Sequence, residues 1–230
     1  MNEEDVPSSL DLCDPRAARE WERTAQDRPG RAEIFRAIER DLVALSKPEF
    51  TVLDLGSGPG FLAAYLLEAL PGCRLTLLDF SAPMHDLARE RLGRRAAGVC
   101  FVECSFKEPN WSQGLGYFDA VIANQAVHEL RHKRHARKLH AEVKEVLKPG
   151  GTYLVSDHFC GKGGLPNDQL YMTVPEQRDA LLNAGFSEVR KVAAAGTLVM
   201  HRVTNEHAVT AGGRPAPSCA GALIRRVELR

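Results

Sequence analysis

Residues 50–60 read Phe50-Thr51-Val52-Leu53-Asp54-Leu55-Gly56-Ser57-Gly58-Pro59-Gly60, an apolar run that stops at a cluster of glycines. A short apolar run bounded by glycine predicts a buried β-strand that is followed by a tight turn. Glycines in such a turn let the backbone come close to a ligand. In a doubly wound sheet, ligands bind at the carboxyl ends of the strands, where this turn would lie. We therefore expect a binding crevice here.

Strand-like and helix-like segments alternate regularly on both sides of this turn. Further strands are predicted at residues 74–79, 99–103, 118–123 and 152–156, and near 188–194 and 197–203. Helices are predicted at about 15–28, 34–45, 61–70 and 81–92, in a stretch that ends at 149–151, and at 174–184. The alternation predicts an α/β fold with a parallel sheet and helices on both faces. The predicted divisions are an N-terminal tail and helical cap (1–48), the main domain (49–203) and a C-terminal tail (204–230).

The composition is that of an ordinary globular domain. Of 230 residues, 44% are apolar and 26% charged, which excludes a largely disordered chain, a collagen-like repeat and a disulfide scaffold. Thirty basic residues balance thirty acidic ones, so nucleic-acid and membrane partners are not expected. There is no membrane-spanning run and no signal-peptide pattern, so we expect a soluble, cytoplasmic protein. The six cysteines lack zinc-ligand spacing, so no metal site is expected.

The residues around the glycine turn distinguish between nucleotide ligands. A dinucleotide fingerprint needs a third glycine three residues after the second, and that position is Phe61. Asp79 ends the next predicted strand, where a carboxylate can accept hydrogen bonds from both ribose hydroxyls. Phe80 and Met84 follow it and offer apolar surface for a purine. The alternatives are that the glycines form a plain tight turn and that Asp79 only caps a helix.

Four motifs occur in a specific order: residues 52–60, Leu78-Asp79-Phe80-Ser81, Phe118-Asp119-Ala120-Val121 and Leu147-Lys148-Pro149-Gly150-Gly151. Together they resemble the class I S-adenosylmethionine-dependent methyltransferases of the small-molecule type. The resemblance extends over about residues 50–203. It implies a Rossmann-like, doubly wound, seven-stranded sheet in which the last strand, near 197–203, runs antiparallel. It also implies S-adenosyl-L-methionine as the cofactor.

The resemblance further implies which residues hold the cofactor. In the family, the glycine loop faces the methionine part and the acid after the second strand binds the ribose. Many members also carry an Asp after the third strand that meets the adenine amino group. Here the matching pair is Cys104-Ser105, and a neutral hydroxyl is a weaker partner than a carboxylate. The predicted cofactor-binding residues are Asp54, Gly56, Ser57, Gly58, Gly60, Asp79, Phe80, Met84, Ser105, Phe106, Asn124 and Gln125.

His128 follows the fourth strand, beside the glycine loop, and is the candidate catalytic residue. In several small-molecule O-methyltransferases a histidine at the similar position is a general base, and an ordinary pKa of about 6.5 suits that role. The alternative is that His128 only packs the turn. The predicted substrate residues are Trp21, Arg28, His128, Asp157 and His158, with a glycine-containing lid over 157–173. The alternative for Asp157 and His158 is that they only begin this loop.

The densest basic run, residues 131–140, is predicted to lie in the first turns of a helix. A solvated helix face explains it, although positive charge there opposes the helix dipole, so a phosphate, a carboxylate or RNA could be its partner. The predicted function is methyl transfer to a small-molecule acceptor, at a hydroxyl or carboxylate oxygen. The alternatives are N-methylation of a macromolecule and a catalytically inactive, cofactor-binding regulatory protein.

Overall fold

The computed structural model describes residues 4–25 and 27–206, and a seven-stranded sheet runs through its centre. The strands are β1 (Phe50–Leu55), β2 (Cys73–Asp79), β3 (Cys100–Glu103), β4 (Phe118–Asn124), β5 (Leu147–His158), β6 (Val189–Ala195) and β7 (Leu198–Thr204). They lie side by side in the order β3-β2-β1-β4-β5-β7-β6. The first five strands pair in parallel, and β7 runs antiparallel to both of its neighbours. The predicted fold class is confirmed.

Helices cover both faces of the sheet. They are α1 (Pro15–Ala25), α2 (Arg31–Val43), α3 (Phe61–Ala69), α4 (Ala82–Leu92), α5 (Ala136–Glu145) and α6 (Val174–Asn183). On one face, Ile34 of α2 and Leu66 of α3 belong to the buried core, and on the other face Leu139 of α5 and Leu181 of α6 do. In the part of the chain that the structure describes, no helix has the length and apolar character needed to cross a bilayer.

Local sequence signals explain several helix starts. The Ser81 hydroxyl accepts a hydrogen bond of 3.1 Å from the backbone N–H of Met84 and caps α4. Thr173 and Glu176 form the predicted capping box at the start of α6. From β1 the chain adds β2 and β3 on one side of the sheet and then β4 and β5 on the other side. The boundary between β1 and β4 is therefore the topological switch point, where a crevice opens in such sheets. The glycine turn that follows β1 therefore opens into this crevice.

The fifth strand is longer than predicted. Residues 147–151 were expected to end a helix, but α5 ends at Glu145 and Leu147 already pairs with Phe118 of β4. A register shift between Phe118 and Ala120 accommodates the extra residues of β5. Asp157 and His158 consequently lie in the strand rather than in a loop, so the segment between β5 and α6 begins at residue 159.

Only residues 204–206 of the predicted C-terminal tail belong to the described residues. Thr204 is the last residue of β7, one position beyond the predicted domain end. The backbone of Asn205 pairs with that of Gly150 and Gly151 beside β5. The rest of the prediction for the tail, residues 207–230, lies outside the described range.

Candidate active site

The glycine turn after β1 forms the floor of the crevice. Gly56 and Gly58 both have positive φ, at 67° and 54°, a conformation that favours glycine. A Cβ atom on Gly56 would lie 2.8 Å from the Cβ of Ala126, so the turn after β4 leaves no room for a side chain. A Cβ on Gly58 would meet nothing within 4 Å, so this glycine faces open space. The backbone of Gly58 is therefore accessible to a ligand.

Most of the residues predicted for the site line this crevice. The lining includes Trp21, Arg28, Asp54, Gly56, Ser57, Gly58, Asp79, Phe80, Met84, Ser105, Phe106, Asn124, Gln125 and His128. The structure does not bring three of the predicted residues to the crevice wall. Gly60 is the N-cap of α3 and faces Ala88, while Asp157 and His158 lie beside His128.

Asp79 is oriented by the backbone of the turns around it. Its Oδ2 accepts a hydrogen bond of 2.8 Å from the N–H of Gly58, and its Oδ1 accepts one of 3.0 Å from the N–H of Ser81. Each carboxylate oxygen keeps a further lone pair for a ligand. Burial raises the pKa of Asp79 to about 6, although these backbone N–H groups favour the ionised form. The side chain is therefore mostly an anion at neutral pH, and a neutral acid below pH 6.

Asp54 lies in the same wall and is fully enclosed. Burial and the nearby charge of Asp79 raise the pKa of Asp54 to about 8. At neutral pH its carboxyl group therefore holds a proton, so only one of the two acids carries a charge. Two carboxyl groups in one low-dielectric wall do not both ionise readily.

The far end of the crevice is largely apolar. Phe80 keeps 42% of its surface exposed, whereas Met84 is buried beneath it in the wall. Ser105, which stands where many relatives have an Asp, accepts a 3.2 Å hydrogen bond from the backbone N–H of Lys107. Its hydroxyl hydrogen remains available for a ligand, and Phe106 supplies an aromatic surface beside it.

His128 is paired with a buried carboxylate at the other end. Its Nδ1 lies 2.6 Å from Oδ1 of Asp157, and its backbone N–H donates to Oδ2 at 2.8 Å. This double contact fixes the imidazole ring and leaves Nε2 free to face other groups. Nε2 lies 3.4 Å from a carboxylate oxygen of Glu129. Asp157 was predicted to contact substrate, but it is buried behind His128 and acts on the ring instead.

The carboxylates change the protonation of His128. Burial opposes a charge on the ring, but Asp157 and Glu129 outweigh it and raise the pKa of His128 to about 10. The ordinary value of about 6.5 expected from the sequence is therefore wrong for this site. Burial alone would raise the pKa of Glu129, but its contact with His128 lowers it. His128 is an imidazolium ion at neutral pH.

Two arginines of the helical cap also face the crevice. The guanidinium of Arg31 lies 4.6 Å from the ring centre of Phe61, and that of Arg28 lies 4.8 Å from Trp21. Nε and Nη1 of Arg31 are buried and have no hydrogen-bond partner among residues 4–25 and 27–206. Burial, with the charges of neighbouring arginines, lowers the pKa of Arg31 to about 10. Arg31 is not among the residues predicted for the site, since nothing in the helix pattern distinguishes it from a surface residue.

The predicted basic run holds the N-terminal segment against the crevice. Arg131 donates from Nε to the carbonyl of Val6 at 2.9 Å, and Arg134 pairs with Asp5 at 2.5 Å. Further along, Leu12 lines the crevice, and its carbonyl accepts a hydrogen bond from Ser81. The run enters a helix as predicted, but later than expected: residues 133–135 form a short 3₁₀ turn, and only residues 136–140 lie in the first turns of α5.

The strand end beside His128 is also constrained. Gln125 has a φ of 55°, an uncommon value for a residue with a side chain, and its backbone N–H donates to Ser156 at 2.7 Å. The amide oxygen of Asn124 accepts a 2.6 Å hydrogen bond from the Ser156 hydroxyl. The neighbouring strand therefore holds this turn in its strained conformation at the crevice.

Comparison with known proteins places this architecture among methyltransferases. A family model described as a methyltransferase domain matches residues 52–151. The chain is 34% identical over 113 residues to the demethylmenaquinone methyltransferase of Thermus thermophilus, an alignment that covers 49% of each protein. It is 29% identical over 178 residues to acetylserotonin O-methyltransferase of Gallus gallus, covering 70% of this chain and 50% of that protein.

Solved structures share the fold at lower sequence identity. The human N-acetylserotonin methyltransferase, solved in complex with S-adenosylmethionine, has a TM-score of 0.64 at 19% identity. The match covers 84% of this chain and 57% of that chain. The chain spans about half the length of the curated relatives described above.

Proposed function

Because the chain carries a class I S-adenosylmethionine-dependent methyltransferase domain, we propose that it methylates an oxygen atom of a small-molecule acceptor. The observation that carries the proposal is the single crevice that joins the glycine turn and Asp79 to the His128–Asp157 pair. S-Adenosylmethionine, when bound, supplies an electrophilic methyl group on its sulfonium sulfur. The chain must therefore hold it, align the acceptor and control the acceptor's proton. An acetylserotonin O-methyltransferase among the relatives supports oxygen as the acceptor atom.

The polar groups of the crevice suit this cofactor. Within the described part of the chain, the buried hydroxyl of Ser57 has no hydrogen-bond partner, like the two nitrogens of Arg31. These groups would hold the cofactor's carboxylate, as expected for buried polar groups that await a ligand. The remaining lone pairs of Asp79 would accept the two ribose hydroxyls. Phe80 and Met84 would lie against the purine. Every one of these residues belongs to the lining of one crevice.

His128 would control the proton of the acceptor hydroxyl. Asp157 occupies Nδ1, so Nε2 is the atom that would take this proton. Because the pKa of His128 is about 10, Nε2 already carries a proton of its own at neutral pH and cannot accept another. A hydroxyl acceptor then reacts only in the fraction of complexes in which one proton has been lost from the acceptor–His128 pair. In the reacting state, the acceptor is an oxyanion and His128 is an imidazolium. The reaction should therefore accelerate as the pH rises toward 10.

The experiment is a pH–rate profile with phenolic acceptors, followed by mass spectrometry of the methylated product. For an un-ionised hydroxyl we expect the rate to rise about tenfold per pH unit above neutrality, because one proton must be lost. His128→Gln should lower the rate most strongly near pH 10, where the wild-type ring can lose its proton, by up to about 10²–10⁴-fold, the usual contribution of a positioned base. The affinity for S-adenosylhomocysteine should stay nearly unchanged, since His128 is placed at the acceptor end. Equal rates for both proteins at every pH would contradict this assignment.

The product also tests the atom that is methylated. An ionised phenol is nucleophilic at its ring carbons as well as at oxygen, and one curated relative is a demethylmenaquinone methyltransferase. A methyl ether is the expected product, and a ring-methylated product would overturn oxygen as the acceptor atom while leaving the cofactor assignment intact.

Methylation of a macromolecule has less structural support. In the described residues, Lys133 pairs with Glu176 at 2.6 Å and Arg134 pairs with Asp5, so two cations of the basic run are already neutralised.

A further inference from the structure

Arg28 is a cation whose counter-ion is not supplied by the crevice. It is half-buried, and its guanidinium lies against the face of Trp21. Within residues 4–25 and 27–206, no carboxylate forms an ion pair with it, whereas the neighbouring Arg23 pairs with Glu20 at 2.7 Å. Its charge is close enough to that of Arg31 to contribute to the lowered pKa of that residue. Two cations that repel each other in one crevice are unfavourable unless anions bind there.

The two arginines have different aromatic neighbours, although their charges are close enough to interact. Arg31 lies over Phe61, the first residue of the helix that follows the glycine turn, so it is placed for the carboxylate of the cofactor. Arg28 lines the same crevice as His128, and its charge also acts to lower the pKa values of His158 and Tyr171. The rings of these two residues lie 5.8 Å and 5.5 Å from the ring of His128. If the cofactor carboxylate binds the two nitrogens of Arg31 that have no partner among the described residues, Arg28 stays available for a second anion.

The charge of the bound cofactor strengthens this argument. S-Adenosylmethionine carries an ammonium group and a sulfonium group against a single carboxylate, so it adds one net positive charge. The charge of His128 is already balanced by the ionised Asp157 in contact with its ring, so the cofactor supplies the excess. An acceptor that brings an anion to Arg28 would offset part of this excess, and a guanidinium binds a carboxylate through two parallel hydrogen bonds.

We propose that Arg28 determines specificity by binding a carboxylate on the acceptor, whose reacting hydroxyl lies at His128. The substrate class is then aromatic hydroxy acids, because the rings of Trp21 and His128 line the crevice and the ring of Tyr171 lies 5.5 Å from that of His128. This inference rests on the proposed function, since it takes His128 as the place of the reacting oxygen. The carboxylate is a recognition group and does not itself receive the methyl group.

The test measures binding and does not require turnover. The protein, saturated with S-adenosylhomocysteine, is titrated with 3- and 4-hydroxybenzoate and with the two matching hydroxybenzamides, using tryptophan fluorescence or calorimetry. At least one acid should bind about tenfold or more tightly than its amide, the usual effect of one charge-assisted contact. Arg28→Gln should remove this preference, and Arg28→Lys should retain part of it because the charge remains. Arg23→Gln, which changes a residue near the end of α1 and outside the crevice, should retain all of it.

The outcomes separate this inference from the proposed function. If neither acid binds more tightly than its amide, or if Arg28→Gln keeps the preference, the role of Arg28 is overturned. The affinity for S-adenosylhomocysteine is measured first, before any acid or amide is added, so it does not depend on the role of Arg28. A protein that binds S-adenosylhomocysteine normally but shows no acid preference loses only the inference about Arg28. A protein that fails to bind S-adenosylhomocysteine contradicts the proposed function itself, and with it the inference.

Discussion

Replacing Asp157 by Asn should release His128 from its unusual protonation. The wild-type pKa of about 10, against an ordinary value of about 6.5, corresponds to roughly 5 kcal/mol in favour of the imidazolium. Asp157 causes much of this rise in the pKa of His128, because its carboxylate lies 2.6 Å from the ring Nδ1 and 2.8 Å from the backbone nitrogen. In Asp157→Asn the charge is lost while Glu129 remains at 3.4 Å. The pKa of His128 should therefore fall by about two to three units, to about 7–8.

Nuclear magnetic resonance measures this directly, without any acceptor. The ring carbons of labelled histidine are followed between about pH 5 and 11, and the His128 signal is assigned with His128→Gln. Because the folded pKa lies above the unfolded one, the pair stabilises the protein fully below pH 6.5 and loses this contribution as pH rises through 10. Asp157→Asn should thus reduce the free energy of unfolding more at pH 6 than at pH 10. A wild-type His128 that titrates near 6.5 would refute the reasoning.

Three other substitutions test separate parts of the crevice. Because the pKa of Asp79 is about 6, the affinity for S-adenosylhomocysteine should be constant from pH 7 to 8 and about tenfold weaker at pH 5. Calorimetry at each pH checks this, and Asp79→Asn should abolish the pH dependence. Arg131→Ala should speed dissociation of S-adenosylhomocysteine roughly fivefold or more in stopped-flow experiments, because it frees the N-terminal segment. Arg178→Ala, which changes an exposed residue of α6, is the control. An unchanged dissociation rate in Arg131→Ala would argue against the anchoring role. Gly56→Ala should lower the free energy of unfolding by about 1–3 kcal/mol, whereas Gly98→Ala, whose Cβ meets nothing within 4 Å, should change it little in urea titrations.

The sequence predicts the sheet well because its strands are short apolar runs with clear boundaries. β1 and the helix cap at Ser81 follow from local patterns, and the structure agrees with both. The end of α5 was misplaced because residues 147–151 contain a proline and two glycines, which usually end a helix. Here the pairing of Leu147 with Phe118 recruits this segment into the sheet. Pairing between strands distant in sequence is not visible in a local pattern.

The site is predictable where chain order determines it and unpredictable where separate elements meet. The glycine turn and Asp79 are joined by neighbouring strands, so spacing indicates that they share a crevice. The burial of Asp79, in contrast, depends on the surrounding turns, so a substitution there affects the fold as well as the ligand. The pairing of His128 with Asp157 joins residues 29 positions apart, and it alone changes the chemistry expected of the histidine. The orphaned nitrogens of Arg31 likewise emerge only once α2 packs beside the crevice.

A calorimetric titration with S-adenosylhomocysteine tests the central claim most directly, namely that this crevice binds the methyl donor. The wild-type protein should bind one equivalent per chain. Asp79→Asn should weaken binding by about tenfold or more, since it removes the charged acceptor for the ribose hydroxyls. Asp86→Asn is the matched control, because Asp86 is exposed on α4 and pairs only with Arg89 among the described ion pairs. Absence of binding by the wild type, or equal affinity in wild type and Asp79→Asn, would contradict the account.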